Sequence, residues 1–306
     1  MYRSILVTLD GSAFAERALP YARTIAESSQ ARVILLRVIS PTEGGSDSAA
    51  TDQTQQVRDA EAYLAEVSTR LGAVPVDRKV VVGVPGEVIV GEIARSAVDL
   101  IVMSTHGRSG LGRWVYGSVA DEVMRRSPVP VLLVPAECQP TAWKDRAPRI
   151  LVPLDGSELS EEALDPALEL AKVLGAELRL LRVVEPYPAA YAYADPSAYI
   201  MIDPTPELEA ARAYLDQVAV RLREKGAVVD VKEEFGFAVT TITDTARAQA
   251  VDLIAMSTHG SSGLRRLIMG SVATGVVQRA AVPILIVRPT AAREPTEEPA
   301  KSLTQD

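Results

Sequence analysis

Short runs of β-branched and aliphatic residues alternate along the chain with longer stretches whose apolar positions recur every three or four residues. Runs at about 3–9, 31–39, 76–83, 99–104 and 130–135 predict strands, and stretches at about 13–29, 52–71, 86–95 and 118–126 predict helices. Positions 33–36 and 100–103 are apolar throughout, as strands are when helices cover both faces of a parallel sheet. Strict alternation of strand and helix with right-handed crossovers predicts an α/β fold built from a doubly wound, Rossmann-like layer.

The same order then starts again from about residue 149. Ser104-Thr105-His106-Gly107 returns as Ser257-Thr258-His259-Gly260, and Gly117-Ser118-Val119-Ala120 as Gly270-Ser271-Val272-Ala273, both at an offset of 153. Leu9-Asp10-Gly11-Ser12 returns as Leu154-Asp155-Gly156-Ser157 at an offset of 145. The chain has 2 histidines, and both fall at the same place in the repeat. Internal repetition at this scale predicts two tandem domains, 1–138 and 149–289, each a five-stranded parallel sheet with helices on both faces. A linker is expected at 139–148 and a disordered tail, poor in large apolar groups, at 290–306. The extra length of the second copy falls at 186–206, opposite a flexible loop expected at 41–56. That longer segment holds Tyr187, Tyr191, Tyr193 and Tyr199. An aromatic loop packed on its own domain, a pairing surface and a lid over a ligand all suit it.

Composition narrows the function. The 306 residues are 47% hydrophobic, enough for two cores, and 40 acidic against 32 basic residues give a net charge of −8. With no dense basic stripe, that balance repels nucleic acid and anionic membranes. The start of the chain runs directly into Ile5-Leu6-Val7 without the pattern of a leader, and no run of about 18 apolar residues occurs. A cytoplasmic protein is expected. The 1 cysteine, Cys138, suits a reducing compartment and is expected to be an exposed thiol beside the linker, with no redox role.

Two elements of each copy should meet beyond the carboxyl ends of the strands, where open parallel sheets bind ligands. One is the carboxylate after the first strand, Asp10 or Asp155. The other is the segment leaving the fourth strand, Ser104-x-x-Gly107, nine residues, Gly117-Ser118, and its repeat Ser257-x-x-Gly260, nine residues, Gly270-Ser271. A phosphate needs backbone N–H donors at close range, which glycine permits by its small size and its tolerance of positive φ. A helix opening at Gly117-Ser118 adds unpaired amides and a positive dipole end. The carboxylate suits sugar hydroxyls or a divalent cation bridging phosphates. Taken singly, Ser118 and Ser271 read as N-caps, and Asp10-Gly11-Ser12 as a turn capping the next helix. Their joint recurrence at matched spacing favours binding. His106 and His259 lack partners for a zinc site or a hydrolytic triad, which leaves a hydrogen bond to loop backbone or to ligand. Arg108, Arg113, Arg265 and Arg266 read as solvated loop charges or as phosphate contacts.

This pattern resembles the universal stress protein family in its tandem form, over about 1–135 and 148–289. The resemblance implies the fold of adenine nucleotide alpha hydrolases and a nucleotide site in each half. Asp10, Val38, Ser104, His106, Gly107, Gly117, Ser118 and Val119 would line one site. Asp155, Val183, Ser257, His259, Gly260, Gly270, Ser271 and Val272 would line the other, with adenine meeting the main chain of Val38 or Val183. One departure stands out, since Ser104 and Ser257 replace the first glycine of the family's Gly-x-x-Gly. The resemblance implies ATP, ADP or AMP as ligand, with Mg²⁺ where phosphates call for it, and a regulatory role in the stress response. It also implies that the two copies pair within the chain as a pseudo-dimer, which pairs again as a homodimer. An enzyme that slowly hydrolyses ATP and a nucleotide-free partner-binding module are the alternatives. The sequence has no Gly-x-x-x-x-Gly-Lys-Ser/Thr loop, which removes one route to the first.

Overall fold

The computed structural model describes residues 2–41, 47–105, 117–136, 138, 143, 146–186, 203–260 and 269–289, with backbone alone at 47–50. The expected tail, the four loop tyrosines and most of the expected linker lie outside the described residues.

The first half carries β1 (Ser4–Thr8), β2 (Arg32–Ile39), β3 (Val76–Val82), β4 (Leu100–Ser104) and β5 (Val131–Val134). The second half carries β6 (Arg149–Pro153), β7 (Glu177–Val184), β8 (Val229–Phe235), β9 (Leu253–Ser257) and β10 (Ile284–Val287). Within each half the strands are parallel, and their spatial order puts the first strand between the second and the fourth. Crossovers therefore leave the first strand in one direction and reach the fourth in the other, opening a crevice at the carboxyl ends of β1 and β4, and of β6 and β9.

The helix predicted over 13–29 is in fact two, α1 (Ala13–Glu16) and α2 (Leu19–Ser29). Pro20 has no N–H to donate to the preceding turn, so it sits in the first turn of a new helix. The second half repeats the break between α6 (Glu158–Glu161) and α7 (Leu164–Leu174), where Pro166 falls in the first turn. Helix α3 (Asp47–Ser68), continued by one 3₁₀ turn at Thr69–Leu71, starts at 47. Much of the loop expected at 41–56 is thus helical, because its Ala and Gln residues sustain a helix that has no apolar period to announce it. The remaining helices are α4 (Pro85–Arg95), α5 (Ser118–Arg126), α8 (Thr205–Glu224), α9 (Ala238–Ala248) and α10 (Ser271–Arg279). Among the described residues no helix is long and apolar enough to cross a membrane.

The two five-stranded sheets are one. Strand β5 pairs antiparallel with β10, placing Leu133 opposite Ile284, Leu132 opposite Leu285 and Val131 opposite Ile286, and the result is a ten-stranded sheet. Both core layers run unbroken across this seam. Leu132 and Leu285 face the layer under α2, α3, α7 and α8, while Leu133 and Ile284 face the layer under α4, α5, α9 and α10. Helix α2 packs on α7, and the Tyr2 hydroxyl donates to the Pro166 carbonyl at 3.4 Å. Because the seam is antiparallel, the carboxyl edge of one half points opposite to that of the other.

Cys138 is not exposed. Its side chain is buried, with the sulfur 3.0 Å from the Tyr21 hydroxyl, and the Tyr21 ring meets Trp143 edge-on at 5.0 Å. Trp143 Nε1 donates to the Asp252 carbonyl at 3.4 Å, and Arg146 grips the Asp252 carboxylate at 2.7 and 2.8 Å. The segment between the repeats is therefore pinned to both halves, which no local pattern in it foretells. Burial pushes the Cys138 thiol above its ordinary pKa, against the opposing pull of Tyr21 and Arg17. Its thiolate is then scarce as well as screened. Under native conditions at pH 8, Cys138 is expected to resist a thiol-specific reagent and to react only through the urea transition that removes helical circular dichroism. Fast labelling of the native protein would contradict this packing.

Candidate functional site

After β6 the chain turns through Leu154-Asp155-Gly156-Ser157 into α6. Gly156 holds φ +81° and its counterpart Gly11 holds +85°, a region L side chains rarely adopt. Asp155 Oδ1 accepts from the Ser157 amide at 3.0 Å and from its hydroxyl at 2.5 Å. Ser157 Oγ in turn accepts from the Ser160 amide at 3.2 Å and caps α6. In the first half Asp10 accepts from the Ser12 amide at 2.9 Å, and Ser12 caps α1 through the Ala15 amide at 3.2 Å. The turn is thus the helix-capping device its sequence suggests. It also aims the carboxylate across the crevice, since a Cβ built on Gly260 would collide with Asp155 Oδ2.

Across that crevice the fourth strand ends at buried Ser104 or Ser257. Thr105 donates its amide to Val134 of β5 at 3.0 Å, and Thr258 does so to Val287 of β10 at 2.9 Å. The Thr105 and Thr258 carbonyls then accept from the amides of Gly117 and Gly270, each at 2.8 Å. This bond holds the two ends of the loop together and fixes where the next helix begins. It also corrects two expectations. Gly117 and Gly270 have φ −58° and −57°, so neither is glycine for the sake of positive φ, and their own amides are already spent. They are themselves the N-caps, which makes Ser118 and Ser271 the first helical residues instead. At Gly270 a Cβ would stand 3.1 Å from the Thr258 carbonyl, a tight approach, whereas at Gly117 the same distance is an ordinary 3.7 Å.

With those glycines as caps, the first intrahelical bonds are Asp121 to Gly117 at 3.1 Å and Thr274 to Gly270 at 2.9 Å. The amides of Ser271, Val272 and Ala273, and of Ser118, Val119 and Ala120, therefore face no carbonyl within their helix. Among the described residues no side chain caps either end.

All eight residues expected to form the second site, Asp155, Val183, Ser257, His259, Gly260, Gly270, Ser271 and Val272, line one cavity of about 780 Å³. His259 Nδ1 lies 2.9 Å from the Thr258 hydroxyl, and its amide donates to Ser257 Oγ at 3.2 Å. Ser257, where a glycine stands in the resembled pattern, thus uses its hydroxyl to hold the start of the loop. In the first half Asp10, Val38, Ser104, Gly117, Ser118 and Val119 occupy matching positions in matching elements. His106 and Gly107 lie outside the described residues, as do Arg108, Arg113, Arg265 and Arg266.

The cavity wall also contains groups that the motifs did not single out. Glu185 and Glu207 add carboxylates, the former accepting the Ala238 amide at the start of α9 at 2.9 Å. Arg182 of β7 lines the cavity beside Gly156, and Arg37 of β2 lies in the same way beside Gly11 and 4.9 Å over the Tyr63 ring. Behind each arginine stands a repeated triad. Glu16 accepts from Tyr63 at 3.0 Å and Arg70 at 2.6 Å, and Glu161 accepts from Tyr214 at 2.9 Å and Arg221 at 2.7 Å. Burial, then the hydrogen bond to glutamate, raises both phenols above their ordinary pKa, so they stay protonated donors. The signal was present in the sequence: Arg37 and Arg182 share the 145 offset of the aspartates, and the Tyr and Arg pairs recur at 151.

A sequence profile described as the Universal stress protein family matches residues 1–135 and 147–288. A universal stress protein of Mycolicibacterium smegmatis is 27% identical over 297 residues, covering 93% of this chain and 97% of its own. One from Methanocaldococcus jannaschii is 33% identical over 140 residues, 46% of this chain and 81% of its own. The crystal structure of a universal stress protein from Archaeoglobus fulgidus superposes over 94% of this chain and 96% of its own, with TM-score 0.65 and 21% identity, a likeness of fold.

The turn glycines give a measurable contrast. Gly156→Ala is expected to lower stability by about 1–2 kcal/mol from backbone strain alone, because the new Cβ meets Arg182 only at ordinary contact, 3.6–3.7 Å. Gly11→Ala should cost more, since Arg37 at 3.1–3.2 Å must also shift on Tyr63. Urea unfolding of the two variants measures the difference, and equal or negligible losses would contradict the turn geometry.

Proposed function

The chain belongs to the universal stress protein family, whose pattern it carries twice, and on that premise we propose that each half binds an adenine nucleotide as a regulatory ligand. The observation that carries the proposal is the second-half cavity, where three first-turn helix amides with no acceptor among the described residues, an opposed carboxylate and the end of the second strand converge. Its volume of about 780 Å³ is within the range of small-molecule sites. The strand order β9-β6-β7 supports one layout for the ligand. Phosphates go to the amides of Ser271, Val272 and Ala273 at the positive end of α10. Ribose hydroxyls donate to Asp155 at the end of β6, and the base edge meets the main chain at Val183 on β7. The first half offers the same elements through Asp10, Val38, Ser118 and Val119.

ATP, ADP and AMP share the chemistry that these groups read. A magnesium ion travelling with ATP would be carried by phosphate oxygens, with Asp155 or Asp10 offering a carboxylate. Among the described residues no three His, Cys, Asp or Glu side chains gather as metal ligands. His259 Nδ1 pairs with the hydroxyl of its neighbour Thr258. In this reading the ligand acts by biasing conformation or assembly, with turnover slow or absent.

A carboxylate placed at the first helical residue separates binding from folding. Ser271→Asp and Ser118→Asp favour the positive ends of α10 and α5, so thermal stability should hold or rise. The same charge sits where a phosphate must go, and like charges near 4 Å repel by about 4 kcal/mol at a protein surface. Titration calorimetry with ATP should show binding to the parent protein and a loss of at least about tenfold in the double variant. An undiminished affinity in the double variant, or no binding of ATP, ADP or AMP to the parent, would defeat the proposal.

A further inference from the structure

Arg182 and Arg37 stand out once the phosphates are assigned to the helix ends. Arg182 is the one guanidinium lining the cavity among the described residues, against the carboxylates of Asp155, Glu185 and Glu207. A lone cation in an anion site is ordinarily assigned to phosphate. Its place in the sheet argues otherwise.

Arg182 lies on β7, and β6 separates β7 from β9, which leads to α10. At about 4.8 Å per strand, β7 and β9 lie roughly 10 Å apart. Side chains alternate along β7, so Arg182 shares a face with Leu178 and Leu180 under α7 and α8, whereas Leu181 faces the layer of α9 and α10. The guanidinium is therefore displaced from the α10 amides both along the sheet and through it. It lies over the β6 turn, with Nη1 3.6 Å from where a Gly156 Cβ would stand and 3.4 Å from the Leu154 carbonyl it donates to. Resting on the nucleotide reading above, we infer that Arg182, and Arg37 in the first half, contact the base of the nucleotide rather than its phosphates.

A planar cation suits that role. It offers a face for stacking and a fork of N–H donors for ring nitrogens. In the first half Tyr63 covers one side of the Arg37 guanidinium, and the Glu16–Tyr63–Arg70 triad holds that tyrosine in place. The second half repeats the triad through Glu161, Tyr214 and Arg221, and Tyr214 lines the cavity beside Arg182. Each arginine thus belongs to a duplicated frame whose geometry is independent of how many phosphates the ligand carries.

The test compares adenosine, AMP and ATP by titration calorimetry on the full chain carrying Arg37→Met and Arg182→Met together, with near-ultraviolet circular dichroism reporting the fold. A base contact predicts that all three ligands lose affinity by the same factor, about tenfold. The matching double lysine variant, which keeps charge and most of the stem but loses the planar fork, should recover little of that loss. A loss that grows from adenosine to ATP, or full recovery by lysine, would reassign the arginines to phosphate and overturn the inference. Unchanged binding in the methionine variant would overturn it while leaving the nucleotide site intact. Absence of any binding to the parent protein would remove the site and this inference with it. Should the methionine pair fail to fold, Arg182→Lys alone decides by the same comparison across the three ligands.

Discussion

Much of this molecule follows from one short hydrogen bond made twice, from the amide of Gly270 to the carbonyl of Thr258 and from Gly117 to Thr105. The bond closes the excursion after the fourth strand and sets the first turn of the next helix directly beside that strand. It uses up the glycine amide and leaves the amides of the three residues that follow without a carbonyl in their own helix. Moving the helix start by one residue would rotate those amides by about 100° and aim them elsewhere. The close approach that the bond demands is a reason for glycine at 270, where a Cβ would crowd the carbonyl at 3.1 Å.

The Thr105 and Thr258 amides donate in turn to the last residues of β5 and β10, the two strands that form the seam. Each candidate site is therefore tied through one peptide to the join between the halves. An antiparallel seam turns the two carboxyl edges away from each other, so the sites open at opposite edges of a single sheet. The continuous core on each face, the α2–α7 contact and the pinning of Trp143 and Arg146 to Asp252 pack the two halves against each other. Exposed apolar side chains persist at the outer strands, where Val82 and Val84 in one half match Phe235 and Phe237 in the other. The internal pairing leaves those outer edges uncovered.

The halves match in their frame and differ in their lining. Asp10 and Asp155, Arg37 and Arg182, and both glutamate–tyrosine–arginine triads recur. Glu185 and Glu207 of the second cavity correspond to Ser40 and Gln56 by the repeat offsets. Extra carboxylates in a cavity favour hydroxyl and amino donors over additional negative charge. The two copies therefore present different fields around a common scaffold.

The parts legible in the sequence are those set by near neighbours. Apolar runs at 33–36 and 100–103 announced buried parallel strands, and the repeated Asp-Gly-Ser and Gly-Ser pairs marked turn and helix start, because strand burial, positive φ and capping depend on residues close along the chain. The break at Pro20 was equally local, though the apolar period of 13–29 runs across it. Other features were settled only by packing between distant segments. Cys138 is buried because Tyr21 and Trp143 close over it, Arg182 faces the cavity because β7 lies beside β6, and the sites point apart because β5 meets β10 antiparallel. Pairing across some 150 residues is a choice among long-range contacts, and the local pattern of either strand is the same whichever partner and direction it takes.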